Sequence, residues 1–155
     1  MIGSRACAPA LAATFDVSKE PSFVAGEKLQ VPVIDNVALF ERNGKIKSEK
    51  GYCWITNFRL VFNFYEVGEL SIPMTSIIRI EKLGMSHQYD QVGLACRDTT
   101  THNVGFTAAA KKTFTKVITK FTFVSKPKSL FCFVHPTDSY KAKGWEVFSV
   151  AKELQ

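Results

Sequence analysis

The stretch that most limits the fold of this chain runs from Gly51 to Gly84, GYCWITNFRLVFNFYEVGELSIPMTSIIRIEKLG. Read in steps of two, it places Tyr52, Trp54 and Thr56 on one side, then Phe58, Leu60, Phe62 and Phe64 together on one side of the next segment. A period of two belongs to a strand, and β-branched and aromatic residues suit a pleated surface with one face on a core. Asn57 marks a first turn and Gly68 a second, so the stretch reads as a β-meander.

The flanking segments extend the pattern. Gly26-Glu27 precedes Leu29, Val31 and Val33 in alternation, with Pro32 pointing to an edge or a bulge. A first strand is expected to begin there and to continue through Val37, Leu39 and Phe40 to Arg42. Asn43-Gly44 suits the positive φ values of a type I′ hairpin turn, and Lys45 to Lys50 lead back to the meander. Beyond Gly84 the segment to Gln91 is polar and reads as a loop. Val92, Leu94 and Cys96 then alternate, Asp98 to Thr101 make a turn, and His102, Val104 and Phe106 form a short partner, for about seven strands in all.

At Thr107 the period changes. Thr107 can cap a helix whose apolar residues Phe114, Val117, Ile118 and Phe121 fall at i, i+3, i+4 and i+7, the spacing of one buried stripe. Lys112, Lys116 and Lys120 stand on another, wet face, and Pro127 stops any continuation. Leu130 to Val134 is a short apolar run expected to be a strand or an extended segment, and Gly144-Trp145 opens the last piece. Met1 to Ser22 carries Gly3, Pro9 and Pro21 without a sustained apolar period and reads as a loose tail; its alanine-rich stretch is short and cut by Pro9, which argues against a targeting peptide.

With 155 residues and 46% hydrophobic content, one domain with a real core is the expectation, over residues 23–155. The longest apolar runs fall far short of the ~18 to 20 residues of a spanning helix, which leaves a soluble or peripheral protein. Cys7, Cys53, Cys96 and Cys132 are scattered, mostly in apolar or alternating segments, as in a reducing compartment without disulfides. The net charge of +6 favours an anionic partner: a membrane surface, nucleic acid or an acidic protein.

Cys53 to Arg59 spells C-x5-R, the spacing of the phosphate loop of cysteine-dependent phosphatases. That loop curls several backbone N–H groups around an anion at a helix N-terminus beside a thiolate. Here the intervening residues contain no glycine and alternate as two strands, whose N–H groups belong to a ladder, so the match reads as accidental. His87, His102 and His135 lack metal-ligand spacing, and there is no G-x-S-x-G elbow or glycine-rich phosphate loop. No catalytic residue, metal or cofactor is therefore assigned. Phe58, Phe62 and Phe64 read as core residues rather than a stacking platform, which speaks against nucleic acid. Arg42, Lys45, Lys47 and Lys50 cluster on the first hairpin and can converge on one multiply charged headgroup; the bland alternative is a solvated, lysine-rich turn.

About seven strands closed by one C-terminal amphipathic helix is the architecture of pleckstrin-homology-like domains, a β-sandwich or partly open barrel. The chain further resembles the PH-GRAM domain that precedes the phosphatase domain in myotubularins. Gly26-Glu27 is similar to that family's opening G-E, Gly51 with Ile55 to Phe62 to its G-x-L-x-[VI]-T-N-[YF]-R-L-x-F, and Ile77 to Gly84 to its I-x-R-[VI]-E-K-[IL]-G. Cys96-Arg97-Asp98 resembles C-[KR]-D, Leu130 to Phe133 resembles L-F-A-F, and Gly144-Trp145 with Phe148 and Glu153 resembles the closing motif. Cys53 stands at the leucine position, the arginine usual near Asp98-Thr99-Thr100 is missing, and the first hairpin is longer.

The resemblance implies a non-catalytic, membrane-targeting module for 3-phosphorylated inositol lipids, peripheral on endosomal or other intracellular membranes. Arg42, Lys45, Lys47 and Lys50 would contact headgroup phosphates. In that family the closing motif leads into the phosphatase domain, which leaves open whether the chain is a fragment of a longer phosphatase. The alternative is a protein-interaction or regulatory domain that packs on a phosphatase domain or another partner without recognising lipid.

Overall fold

The computed structural model describes residues 19–126. Seven strands follow in chain order: β1 (Ile34–Phe40), β2 (Ile46–Ile55), β3 (Arg59–Phe64), β4 (Gly68–Pro73), β5 (Ile77–Ser86), β6 (Tyr89–Cys96) and β7 (Thr101–Phe106). One helix, α1 (Ala108–Thr122), closes the series. The strands form one antiparallel sheet in the order β4-β3-β2-β1-β7-β6-β5. The sheet's two edges, β4 and β5, are consecutive in the chain and joined by a single 3-10 turn, Met74–Ser76. So short a joint requires the sheet to curl until its edges approach, giving a half-barrel rather than a flat layer.

The inner face holds the core. Val37, Leu39, Cys53, Ile55, Leu60, Phe62, Phe64, Val92, Leu94, Val104 and Phe106 all contribute to one buried cluster. Helix α1 seals it with Phe114 and Ile118, which are fully buried at i, i+4, while Ala110, Val117 and Phe121 pack around them. The Phe114 ring lies 4.2 Å from that of Phe106 and 6.4 Å from that of Phe62, centroid to centroid. Burying each such side chain is worth about 1.5–3 kcal/mol. Thr107 caps the helix by accepting the Ala110 N–H, and Thr122 Oγ1 meets Met74 Sδ at 3.7 Å, so the helix spans from β7 to the joint between the edges.

Three local expectations are corrected. The first strand begins at Ile34, not near Leu29; Leu29 makes only an isolated bridge to Thr56, since Pro32 has no N–H to give a ladder. The segment between Gly84 and Gln91 is not a loop, because β5 and β6 meet in a two-residue turn at His87 (φ 50°) and Gln88 (φ 64°). Neither residue is the Asn or Gly that such a turn favours, so the sequence carries no marker for it. The β1–β2 connection is not a type I′ turn: Gly44 N donates to Glu41 O, Glu41 N donates to Lys45 O, and only Gly44 (φ 82°) adopts a positive φ. Asn43 instead uses its side chain, accepting from Lys45 N at 2.9 Å.

Strand β3 is buried on both faces, Val61 and Asn63 on one and Leu60, Phe62 and Phe64 on the other. The segment before β1 reaches that outer face: Asn63 Nδ2 donates to Lys19 O, and Pro21 is buried. Within residues 19–22, read as the end of a tail, the Lys19 and Ser22 carbonyls and the Pro21 ring therefore contact the body of the domain. The expected strand at Leu130 to Val134 and the Gly144-Trp145 piece lie outside the described residues, as do Cys7, Cys132 and His135.

Candidate functional site

The four basic residues proposed from sequence lie on the β1–β2 hairpin: Arg42 in the turn, Lys45 at its exit, Lys47 and Lys50 on β2, all exposed. Their positions follow from an irregular ladder. The register runs Ile34↔Cys53, Val37↔Gly51, Leu39↔Ser48, Phe40↔Ile46, so β1 carries one extra residue near Asn36 and β2 carries two between Ile46 and Gly51. Asn36 (φ 54°) and Lys50 (φ 57°) take left-handed backbone at these bulges. Alternation is lost on β2 as a result: Ser48 is buried while Lys47, Glu49 and Lys50 are all exposed. Two carboxylates are interleaved with the four cations, Glu41 and Glu49. Glu49 lies close enough to raise the pKa of the Tyr89 hydroxyl, after the larger effect of burial.

The structure adds a neighbour that the sequence reading missed. Gly51 has no room for a side chain, because the Phe64 ring covers it and a Cβ would come within 2.8 Å of the Asn63 carbonyl. The β2–β3 ladder ends at Tyr52↔Asn63, and the Phe64 ring over Gly51 keeps the two strands together up to the β3–β4 turn, residues 65–67. Ser48 Oγ donates to the Glu66 carboxylate and ties that turn to the basic arm. Tyr65 (58% exposed) and Val67 (40%) stand out from that turn. In sequence the pair only preceded the Gly68 turn marker, and the link of their turn to the basic arm, through Ser48 and Glu66, depends on strand pairing.

Cys53 and Arg59 are in different settings. Cys53 is buried in the core, where desolvation pushes its thiol pKa well up and keeps it protonated. Arg59 is committed to Glu27, whose side chain is fully buried: Nε donates to Oε1 at 2.9 Å. The same carboxylate accepts the Thr56 hydroxyl at 2.8 Å and the Val24 N–H at 2.9 Å. Arg59 also donates to Ser22 O at 2.7 Å and Ser71 Oγ at 3.2 Å. Asn57 accepts from Lys28 N at 2.7 Å and donates to Gly26 O at 3.2 Å. The Gly26-Glu27 pair and the Thr56 to Arg59 run are therefore two halves of one clamp that holds the N-terminal segment on the sheet.

Among the described residues, no three His, Cys, Asp or Glu side chains are grouped to hold a metal ion, and no helix is long and apolar enough to cross a membrane. His102 is half-buried next to Asp98 and Thr100; burial lowers its pKa, and the Asp98 carboxylate opposes the shift without cancelling it.

Neither a protein family's sequence profile nor a curated protein matches the chain. Among solved structures, the chain is similar to the C-terminal domain of an unknown protein from Leishmania infantum, at 19% identity over 63% of this chain and 87% of that one, with a TM-score of 0.49.

Proposed function

We propose that the protein is a non-catalytic, phosphoinositide-binding module of the pleckstrin-homology-like, PH-GRAM kind, which attaches peripherally to endosomal or other intracellular membranes. The observation that carries the reading is the pairing of a basic arm (Arg42, Lys45, Lys47, Lys50) with exposed Tyr65 and Val67 on the adjoining turn. Cations near an anionic leaflet contribute about 1 kcal/mol each. A tyrosine with one apolar and one wet end suits the headgroup layer beside them. The sheet order and single closing helix support the fold family, and the resemblance to myotubularin PH-GRAM domains supports 3-phosphorylated lipids as the class. The clamp residues Glu27, Thr56 and Arg59 act as structure in this reading, not as lipid ligands.

Co-sedimentation with liposomes carrying phosphatidylinositol 3-phosphate, its 3,5-bisphosphate or only phosphatidylserine, at two salt concentrations, tests it. Selective binding that survives moderate salt is expected, lost in Lys45→Glu/Lys47→Glu and weakened about tenfold in Tyr65→Ala. Equal binding to all three liposomes, lost in salt, would overturn the lipid reading.

The second reading, a protein-interaction domain that packs on a phosphatase domain or another partner, is favoured by β5. This edge strand exposes Ile78 (51%) and Met85 (71%) beside a row of backbone groups that the sheet leaves unpaired. An Ile78→Lys/Met85→Lys variant that bound liposomes normally but lost a copurifying partner would establish it.

A further inference from the structure

A second cluster of cations lies away from the β1–β2 hairpin, and only the tertiary structure assembles it. Helix α1 crosses the inner face of the sheet near edge strand β5. Lys82 pairs with Val92 in the β5–β6 ladder, so it continues the inward row of Ile80 and faces α1. Lys82, Ala108, Lys111, Lys112, Thr115 and Lys116 line one groove of about 360 Å³ between strand and helix. In sequence Lys112 and Lys116 read as the wet face of an amphipathic helix, and Lys82 lies 30 positions earlier, inside an unrelated motif.

The charge in this groove is not neutralised from within. The acid at its margin is Asp90, and Lys111 Nζ holds it at 3.1 Å, with both side chains largely buried. The Lys111 cation offsets that carboxylate, and Lys82, Lys112 and Lys116 are left as the groove's net positive charge. Among the described residues, Lys82, Lys112 and Lys116 form no ion pair. The first turn of α1 contains no acidic residue, so the positive end of the helix dipole adds to the same potential. Lys112 and Lys116 are one turn apart, about 5–6 Å between Cβ atoms, and Lys82 faces them from the strand.

We propose that this groove is a binding site for a small, multiply phosphorylated anion, separate from the hairpin. Its volume falls in the range of small-molecule sites. No aromatic ring lines it, and it offers ammonium groups and the Thr115 hydroxyl. Such a lining recognises phosphates at two or more positions and gives nothing on which a base could stack. An inositol bis- or trisphosphate has this chemistry, free in solution or as a lipid headgroup. If both sites bind, the protein responds to two phosphorylated signals at once.

The test uses the whole chain and soluble inositol 1,3,5-trisphosphate, with inorganic phosphate as a comparison, followed by calorimetry and by amide chemical-shift changes. Shifts at Lys82, Lys112, Thr115 and Lys116 are expected, with affinity for the trisphosphate at least about tenfold above that for phosphate. Lys82→Ala/Lys116→Ala is expected to abolish the shifts at the groove and to lower the affinity measured there at least about tenfold, whereas Lys120→Ala, on the same helix outside the groove, changes it less than about twofold. Repeating the titration with liposomes that carry the same headgroup tells a lipid source from a free one, according to which ligand the groove variant fails to bind. Shifts confined to the hairpin, or an equal loss in Lys120→Ala, would overturn the proposal; retained liposome binding by the groove variant would leave the hairpin reading intact.

Discussion

Glu27 is a carboxylate with no exposed side-chain surface, and it depends on Arg59, Thr56 and the Val24 N–H for everything water would supply. Removing one partner of such a pair costs about 3–5 kcal/mol, because the other charge stays buried. Arg59→Ala is therefore expected to lose that much stability in urea unfolding, with Glu27→Gln/Arg59→Met recovering a large part of it. If Arg59→Ala left stability unchanged, the clamp would be incidental. The residues of the clamp were legible in the sequence as motif letters. Their partnership was not, since Glu27 and Arg59 are 32 positions apart and meet only when the N-terminal segment crosses the β2–β3 turn.

At the scale of elements, periodicity located most strands and the helix, because alternation and the 3.6-residue stripe follow from which face is buried. Ile118→Asp tests the stripe: a carboxylate at this fully buried position costs several kcal/mol, enough to unfold the domain, seen as loss of amide dispersion. Gly84 to Gln91 failed to announce itself for a local reason. His87 and Gln88 both occupy left-handed backbone without being Gly or Asn, and tertiary pairing of β5 with β6 overrides their preference. Replacing them with Asn-Gly relieves that conflict and is expected to stabilise the protein by about 1 kcal/mol, read as a raised urea midpoint with an unchanged slope. A lower midpoint would mean that His87 and Gln88 make contacts worth more than the strain.

For the molecule as a whole, mild acid is expected to loosen the fold. His102 on β7 has its pKa lowered from 6.5 by burial, so below that value the unfolded chain binds a proton that the native state resists. The unfolded state then holds more protons, and stability rises with pH and falls as pH drops through 6.5. Asp98, whose pKa is lowered by hydrogen bonds from the Thr100 hydroxyl and N–H, adds a loss in the same direction at lower pH. Urea unfolding at pH 7.0, 6.0 and 5.5 is expected to show falling stability in the native chain and a flatter profile in His102→Gln. Parallel profiles would assign the dependence to other groups.

The sequence by itself determined most of the strands, the helix and most of the side chains that enter the core, because burial of a face imposes its period on the residues that make it. It missed the β5–β6 hairpin, and Phe58, expected in the core, sits half-buried in the β2–β3 turn instead. It also placed Arg42, Lys45, Lys47 and Lys50 on one hairpin, since they are neighbours in the chain. Only the tertiary structure decided what stands beside them. The bulge at Lys50 leaves Lys47, Glu49 and Lys50 all exposed, the Ser48 to Glu66 hydrogen bond ties β2 to the turn that carries Tyr65, and the fold sets Lys82 and the helix residues Lys112 and Lys116 on one groove. These juxtapositions come from pairing and curvature between distant segments, and no local pattern encodes them.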